Sequence, residues 1–177
     1  MNIILCGLPM SGKSTIGKLV AEKLNRQFID TDRLIENTYN MIKNKKYTCR
    51  QIYFLEGEKV FRRLEDHQIA SLKNVKKSVI AIGGGSLINE GNIKILQDVG
   101  SLVYLKVSTE LLWERMKTKA LPTYLNHKNP EEEFFELAAR RCPIIKNAAE
   151  FVIETDDLTE EQTVEKIIEL FRDEKST

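Results

Sequence analysis

Short apolar runs alternate along the chain with longer stretches whose apolar positions recur every three to four residues. The runs at 2–6, 27–30, 78–82, 101–107 and 151–154 have strand length and little polar interruption, the signature of strands buried on both faces. Helical periodicity predicts helices at 13–24, 33–44, 57–73, 90–97, 109–117, 130–140 and 160–172. The last is the clearest. Val164, Ile167, Ile168 and Phe171 repeat at i, i+3, i+4 and i+7, and Thr159 with Gln162 makes a capping-box signature. Strands alternating with helices predict an α/β fold with a parallel sheet covered on both faces, three layers in all. Ligands should gather at the carboxyl ends of its strands. The polar stretch 117–130 is the most loop-like interior segment.

Composition narrows the setting. A chain of 177 residues suits one domain with a single core, so 1–177 reads as one unit. Its formal net charge of +1 gives no broad field for nucleic acid or a membrane surface, so neither is expected as a partner. Cys6, Cys49 and Cys142 are odd in number and widely spaced, which predicts buried thiols in a reducing compartment. The first apolar run is too short for a signal peptide and lacks a basic flank. A cytoplasmic protein is the expectation.

The turn after the first strand carries the strongest chemical signal. Gly7-Leu8-Pro9-Met10-Ser11-Gly12-Lys13-Ser14 matches the phosphate-binding loop G-x-x-x-x-G-K-[ST], in the strand–loop–helix context that the motif needs. Such a loop turns backbone N–H groups inward onto phosphate oxygens. Lys13 adds charge toward the outer phosphates, Ser14 offers a hydroxyl to Mg²⁺, and the helix N-terminus favours anions. Gly7, Met10, Ser11, Gly12, Lys13, Ser14 and Thr15 are the candidate ATP contacts. An ordinary glycine turn is the bland alternative. In a kinase built on this loop, the segment 117–130 would be a mobile lid.

Other candidates lie downstream. Asp30 and Asp32, two apart at the end of the second strand, can face one way into the crevice, Asp30 for a metal and Asp32 for an acceptor hydroxyl. Otherwise Asp32 simply caps the following helix. Gly83-Gly84-Gly85 after a buried strand offers unobstructed backbone donors, or is only a flexible turn. Arg62 suits a carboxylate bidentately, but Glu58 and Asp66, four residues to either side, also suit it as ion-pair partners. Arg141 precedes Cys142-Pro143 and reads equally as a basic helix end. Arg115, Lys117 and Lys119 lead into the loop-like segment, where cations could meet phosphate or remain solvated.

In order along the chain, the phosphate loop, the Asp30/Asp32 pair, Gly57-Glu58-x-x-Phe61-Arg62-x-x-Glu65, the triple glycine and Arg141-x-Pro143 resemble the shikimate kinase family. The resemblance implies a P-loop kinase fold whose five-stranded parallel sheet has strand order 2-3-1-4-5, with a substrate-binding region near 31–62 and a lid at 117–130. It implies transfer of the ATP γ-phosphoryl group to the 3-hydroxyl of shikimate, with Mg²⁺ held by Ser14 and Asp30, in a monomer. Arg62, Gly83, Gly84, Gly85, Arg141 and Asp32 would bind shikimate, Glu65 would orient Arg62, and Arg115 would flank adenine. The chain departs from the family pattern at three points. Leu121-Pro122-Thr123 stands where the lid usually reads R-P-L, leaving Lys119 or Lys117 as substitutes; Met10 replaces a glycine; Ile145 replaces a tyrosine. Alternatives are a gluconate- or nucleotide-type kinase of the same fold, or a silent nucleotide-binding module.

Overall fold

Asn2 pins the amino end of the central strand. Its amide donates to the carbonyls of Val75 and Val99 at 2.7 and 2.9 Å, and its oxygen accepts from Ser78 N–H at 2.9 Å. The strand it starts, β1 (Asn2–Cys6), lies in one parallel sheet with β2 (Gln27–Asp30), β3 (Ser78–Ala81), β4 (Gly100–Lys106) and β5 (Phe151–Glu154). The strand order is β2-β3-β1-β4-β5. The computed structural model describes residues 1–118, 125 and 128–172.

Helices α1 (Lys13–Leu24), α2 (Thr31–Lys43), α3 (Cys49–Ser71), α4 (Glu90–Val99), α5 (Thr109–Lys117), α6 (Pro130–Ala148) and α7 (Glu160–Leu170) complete the layers. Successive β1 residues feed opposite cores, as a doubly covered strand must. Ile3 and Leu5 pack with Ile16 and Val20 of α1 and Val164 and Ile167 of α7. Ile4 and Cys6 pack with Ile69 of α3, Leu96 of α4, Leu112 of α5 and Phe134 of α6. A third, smaller core of Ile35, Tyr39, Ile52 and Phe61 fastens α2 to α3. At about 1.5–3 kcal/mol per fully buried large apolar side chain, that small core is a main tie between the two helices, beside hydrogen bonds such as Gln68 Nε2 to Thr38 Oγ1 at 3.1 Å.

Besides shifts of one or two residues at the ends of β3, β4, α4 and α7, three helices differ from the sequence expectation. Helix α3 begins at Cys49 rather than 57, because Thr48 and Gln51 form a complete capping box there; Gly57, at φ +79° and ψ 168°, breaks its run instead of starting it. Helix α6 continues past 140 through Pro143 to Ala148. Pro143 forfeits one backbone bond to the Ala139 carbonyl, but Ala139 is exposed to water, and burial of Ile145 and Ala148 keeps the helix going. Helix α2 starts at Thr31, two residues early, since Asp30 is its N-cap. The expected thiol burial holds for Cys6 alone; Cys49 and Cys142 are half-buried. Among the described residues, no helix is long and apolar enough to cross a membrane. Most of the expected lid at 117–130, with Lys119 and Leu121-Pro122-Thr123, lies outside the described residues.

Candidate active site

The phosphate loop spans the gap from the end of β1 to the start of α1, so its N–H groups and the α1 N-terminus face the carboxyl edge of the sheet. Gly12, at φ +87°, takes the left-handed turn that lets α1 begin. Met10 is also left-handed, at φ +69°, and half-buried against the core. The Lys13 ammonium is held by the carbonyls of Gly7 and Leu8 at 3.0 and 2.8 Å and by Ser11 Oγ at 3.3 Å. Burial pushes its pKa below the usual lysine value, and Asp32 chiefly opposes that shift.

Ser14 Oγ donates to Asp30 Oδ2 at 2.6 Å. Asp30 Oδ1 accepts from Asp32 N–H at 3.0 Å, so the capping role suspected for Asp32 belongs to Asp30. Strand alternation is likewise not what aligns the two carboxylates. The chain turns helical at Thr31, and Asp32 reaches the cavity from the first turn of α2. Ser14 and Asp30 are hard oxygen donors side by side, a set that suits a small divalent cation sharing its remaining positions with phosphate and water.

Asp32 opens onto the cavity yet sits deep among protein atoms. That desolvation, reinforced by the Asp30 carboxylate and opposed by Lys13, raises its pKa from 3.8 to about 6. A carboxyl raised by folding binds its proton more tightly folded than unfolded, so its contribution to stability falls as pH rises through that window. The fold gives up stability to keep a basic carboxylate here.

Each glycine after β3 makes room for a different neighbour. A Cβ on Gly83 would meet Glu65 Oε1 at 2.8 Å and Asp32 Oδ1 at 2.9 Å; on Gly84, Pro9 of the phosphate loop at 2.7 Å; on Gly85, the Arg62 guanidinium. The expectation of three free backbone donors needs correction at Gly83, whose N–H donates to Thr31 Oγ1 at 3.1 Å. Gly84 and Gly85 have no N–H acceptor among the described residues.

Arg62 pairs with Glu65, and with Glu58 at 3.4 Å. The suspected Arg62–Asp66 pair is absent, because Asp66 Oδ1 accepts from Asn89 and Asn92. Glu65 is buried and also accepts from Ser86 Oγ at 3.3 Å. Burial holds its pKa above the usual range although Arg62 pulls it down. Arg141 donates to the Gly84 carbonyl at 3.3 Å.

These residues share a cavity of about 420 Å³. Met10, Gly12, Lys13, Ser14 and Thr15 line it from the phosphate loop and the first turn of α1, together with Asp30, Asp32, Arg62, Gly83–Gly85 and Arg141. A second cavity of about 380 Å³ lies across the loop, where Met10, Ser11 and Gly12 meet Arg115. Arg115 donates to the Met10 carbonyl at 3.2 Å. Gly7 lies beneath the loop, where an added Cβ would meet Ser11 Oγ at 2.7 Å.

Sequence reasoning missed several lining residues. Cys49, Arg50 and Tyr53 line the first cavity, and the Thr48-x-x-Gln51 signature would have signalled the helix that carries them. Thr155, Leu158, Glu160 and Thr163 line the second. Their position just after β5 is where strand-end logic points.

The shikimate kinase family model matches residues 9–172. A shikimate kinase from Thermodesulfovibrio yellowstonii is 37% identical over 167 residues, covering 94% of this chain and 92% of its own length. One from Caldicellulosiruptor bescii is 36% identical over 169 residues, covering 96% and 94%. The solved structure of shikimate kinase from Acinetobacter baumannii in complex with shikimate superposes with a TM-score of 0.88 at 32% identity, over 99% of this chain and 95% of that one.

Proposed function

This chain belongs to the shikimate kinase family, and from that premise we propose that it transfers the γ-phosphoryl group of ATP to the 3-hydroxyl of shikimate. The products are shikimate 3-phosphate and ADP. One observation carries the reading: a single cavity is lined by Lys13 and Ser14 of the phosphate loop together with Asp32, Arg62 and Arg141. A terminal phosphate and a carboxylated polyol can therefore meet at bonding distance, and positioning of this kind supplies much of the acceleration in phosphoryl transfer.

Arg62 and Arg141 grip the carboxylate of shikimate, with Glu65 holding the Arg62 fork in place. The Gly84 N–H and Asp32 take hydroxyls. Asp32 accepts the 3-hydroxyl proton as that oxygen bonds to the γ-phosphorus, while the bond from phosphorus to the β,γ-bridging oxygen breaks and its electron pair leaves with ADP. Lys13 exchanges its Ser11 contact for the outer phosphates. Ser14 and Asp30 fit Mg²⁺, which when bound neutralises charge on the phosphoryl oxygens. Arg115 and the second cavity take the adenosine end. We read 1–177 as one kinase unit with its acceptor-binding region at 31–62 and its lid at 117–130. The unit acts as a monomer in the cytoplasm, a setting in keeping with free thiols at Cys6, Cys49 and Cys142.

A coupled ADP-release assay offered shikimate, gluconate and nucleoside monophosphates tests the reading. Shikimate-dependent release is expected. Release with another acceptor alone, or nucleotide binding without turnover, overturns it.

A further inference from the structure

Four cationic side chains line the 420 Å³ cavity, and three are engaged by the protein. Lys13 is held by loop oxygens, Arg62 by Glu65 and Glu58, and Arg141 by the Gly84 carbonyl. Arg50 is the fourth. Among the described residues its side chain has no ion pair and no hydrogen bond. Its position is also electrostatically poor. It is the second residue of α3, at the end of a helix whose dipole disfavours a cation. Neither feature serves the fold, and both suit an anion entering the cavity.

The neighbouring residue fixes where Arg50 stands. Cys49 N–H donates to Glu36 Oε1 at 2.9 Å, and Cys49 Sγ donates to the Asp32 carbonyl at 3.2 Å. Arg50 therefore leaves the backbone beside the residue that receives the acceptor's proton. The acceptor carboxylate already has Arg62 and Arg141. The phosphoryl group instead arrives where Asp30 and Asp32 present two carboxylates, with Lys13 as the engaged counter-charge.

We propose that Arg50 is a catalytic residue whose guanidinium binds the phosphoryl oxygens in transit and then the phosphate of the product. The inference rests on the phosphotransfer reading above. As the acceptor oxygen bonds to the γ-phosphorus and the bridging oxygen departs with ADP, the equatorial oxygens swing toward the acceptor side. A planar fork there matches two of them at once, which an ammonium cannot do.

Steady-state kinetics of Arg50→Ala and Arg50→Lys with ATP and shikimate test this. The expected result for Arg50→Ala is a fall in kcat of about a hundredfold, with the KM for shikimate within about twofold of the parent. Inhibition by added shikimate 3-phosphate should weaken at least tenfold, on the order of one lost charged contact. Millimolar guanidinium should restore part of the Arg50→Ala turnover, and Arg50→Lys should fall between the parent and Arg50→Ala. A raised KM for shikimate at unchanged kcat would make Arg50 a carboxylate ligand and overturn the proposal, as would parental behaviour in both variants. If the parent protein itself fails to phosphorylate shikimate, the functional reading falls and takes this inference with it. Parental turnover with an indifferent Arg50→Ala sinks the inference alone.

Discussion

Gly12, in the loop after β1, and Gly85, in the turn after β3, stand at the same end of the sheet and line the same cavity, but for unrelated reasons. Gly12 has φ +87°, and a Cβ there would find nothing closer than Ile16 Cγ1 at 3.8 Å. Space is ample; it is the left-handed backbone conformation that strains any residue with a side chain. Gly85 has φ −108°, which any residue adopts, yet a Cβ would run into the Arg62 guanidinium. Here the conformation is open and the space is taken. At these two positions the phosphate side of the proposed site is set by main-chain torsion and the acceptor side by a side chain arriving from α3.

If both sides converge on one reaction, the largest losses come from the groups at their meeting point. Lys13→Ala and Asp32→Ala should each lower kcat at least about a hundredfold, the usual cost of removing a positioned charge at a reacting centre. The check is single-turnover kinetics with ATP and shikimate. Near-parental turnover in either variant would remove that residue from the mechanism, and with it the idea of a common meeting point.

The same contrast explains what was legible in the sequence. The phosphate loop could be read because torsional demands are local: Gly7 to Ser14 contain the whole motif. The sheet was legible for the same reason, since runs such as Ile3-Ile4-Leu5 announce a doubly buried strand without reference to partners. On the acceptor side, residue types stood out but their reasons did not. Nothing local tells that Gly84 yields to Pro9, or that Gly83 leaves space for Glu65 and Asp32, because those neighbours are up to 75 positions away. Arg62 read locally as an ion pair with Glu58 or Asp66, four residues to either side; the Glu58 pair is present, but Asp66 turns to Asn89 and Asn92, and buried Glu65, three residues on, makes the closer contact. Arg50 stayed hidden because the helix that carries it starts from a cap and not from a hydrophobic stripe.

Paired glycine substitutions sharpen the comparison. Gly12→Ala should impair ATP binding and leave affinity for shikimate nearly intact, because the strain falls on the phosphate loop. Gly85→Ala should raise the KM for shikimate about tenfold or more, since it displaces one of the two guanidinia proposed to hold the carboxylate, with the KM for ATP little changed. Arg62→Ala should resemble Gly85→Ala in direction and exceed it in size. Equal effects of Gly85→Ala on both substrates would mean that the turn is merely structural and that its crowding by Arg62 has no functional content.

Gly57 offers a smaller and purely conformational test. Its φ of +79° and ψ of 168° fall in a region that only glycine occupies without strain, while a Cβ there would meet nothing within 4 Å. It belongs with Gly12, although no phosphate is involved. The break it makes turns the first half of α3 back onto α2, where Ile52 joins Ile35, Tyr39 and Phe61. With alanine the chain must either keep the strained torsion or straighten α3 and lift Ile52 out of that core. The first route costs about 1–3 kcal/mol, and the second about as much in lost burial. Gly57→Ala should therefore lower Tm by several degrees, at about 2–4 °C per kcal/mol for a domain of this size. It should also weaken shikimate more than ATP, because α3 carries Arg62 and the cavity wall. An unchanged Tm would show that the break in α3 is set by packing on either side of Gly57, and torsional demand would then be confined to the phosphate loop.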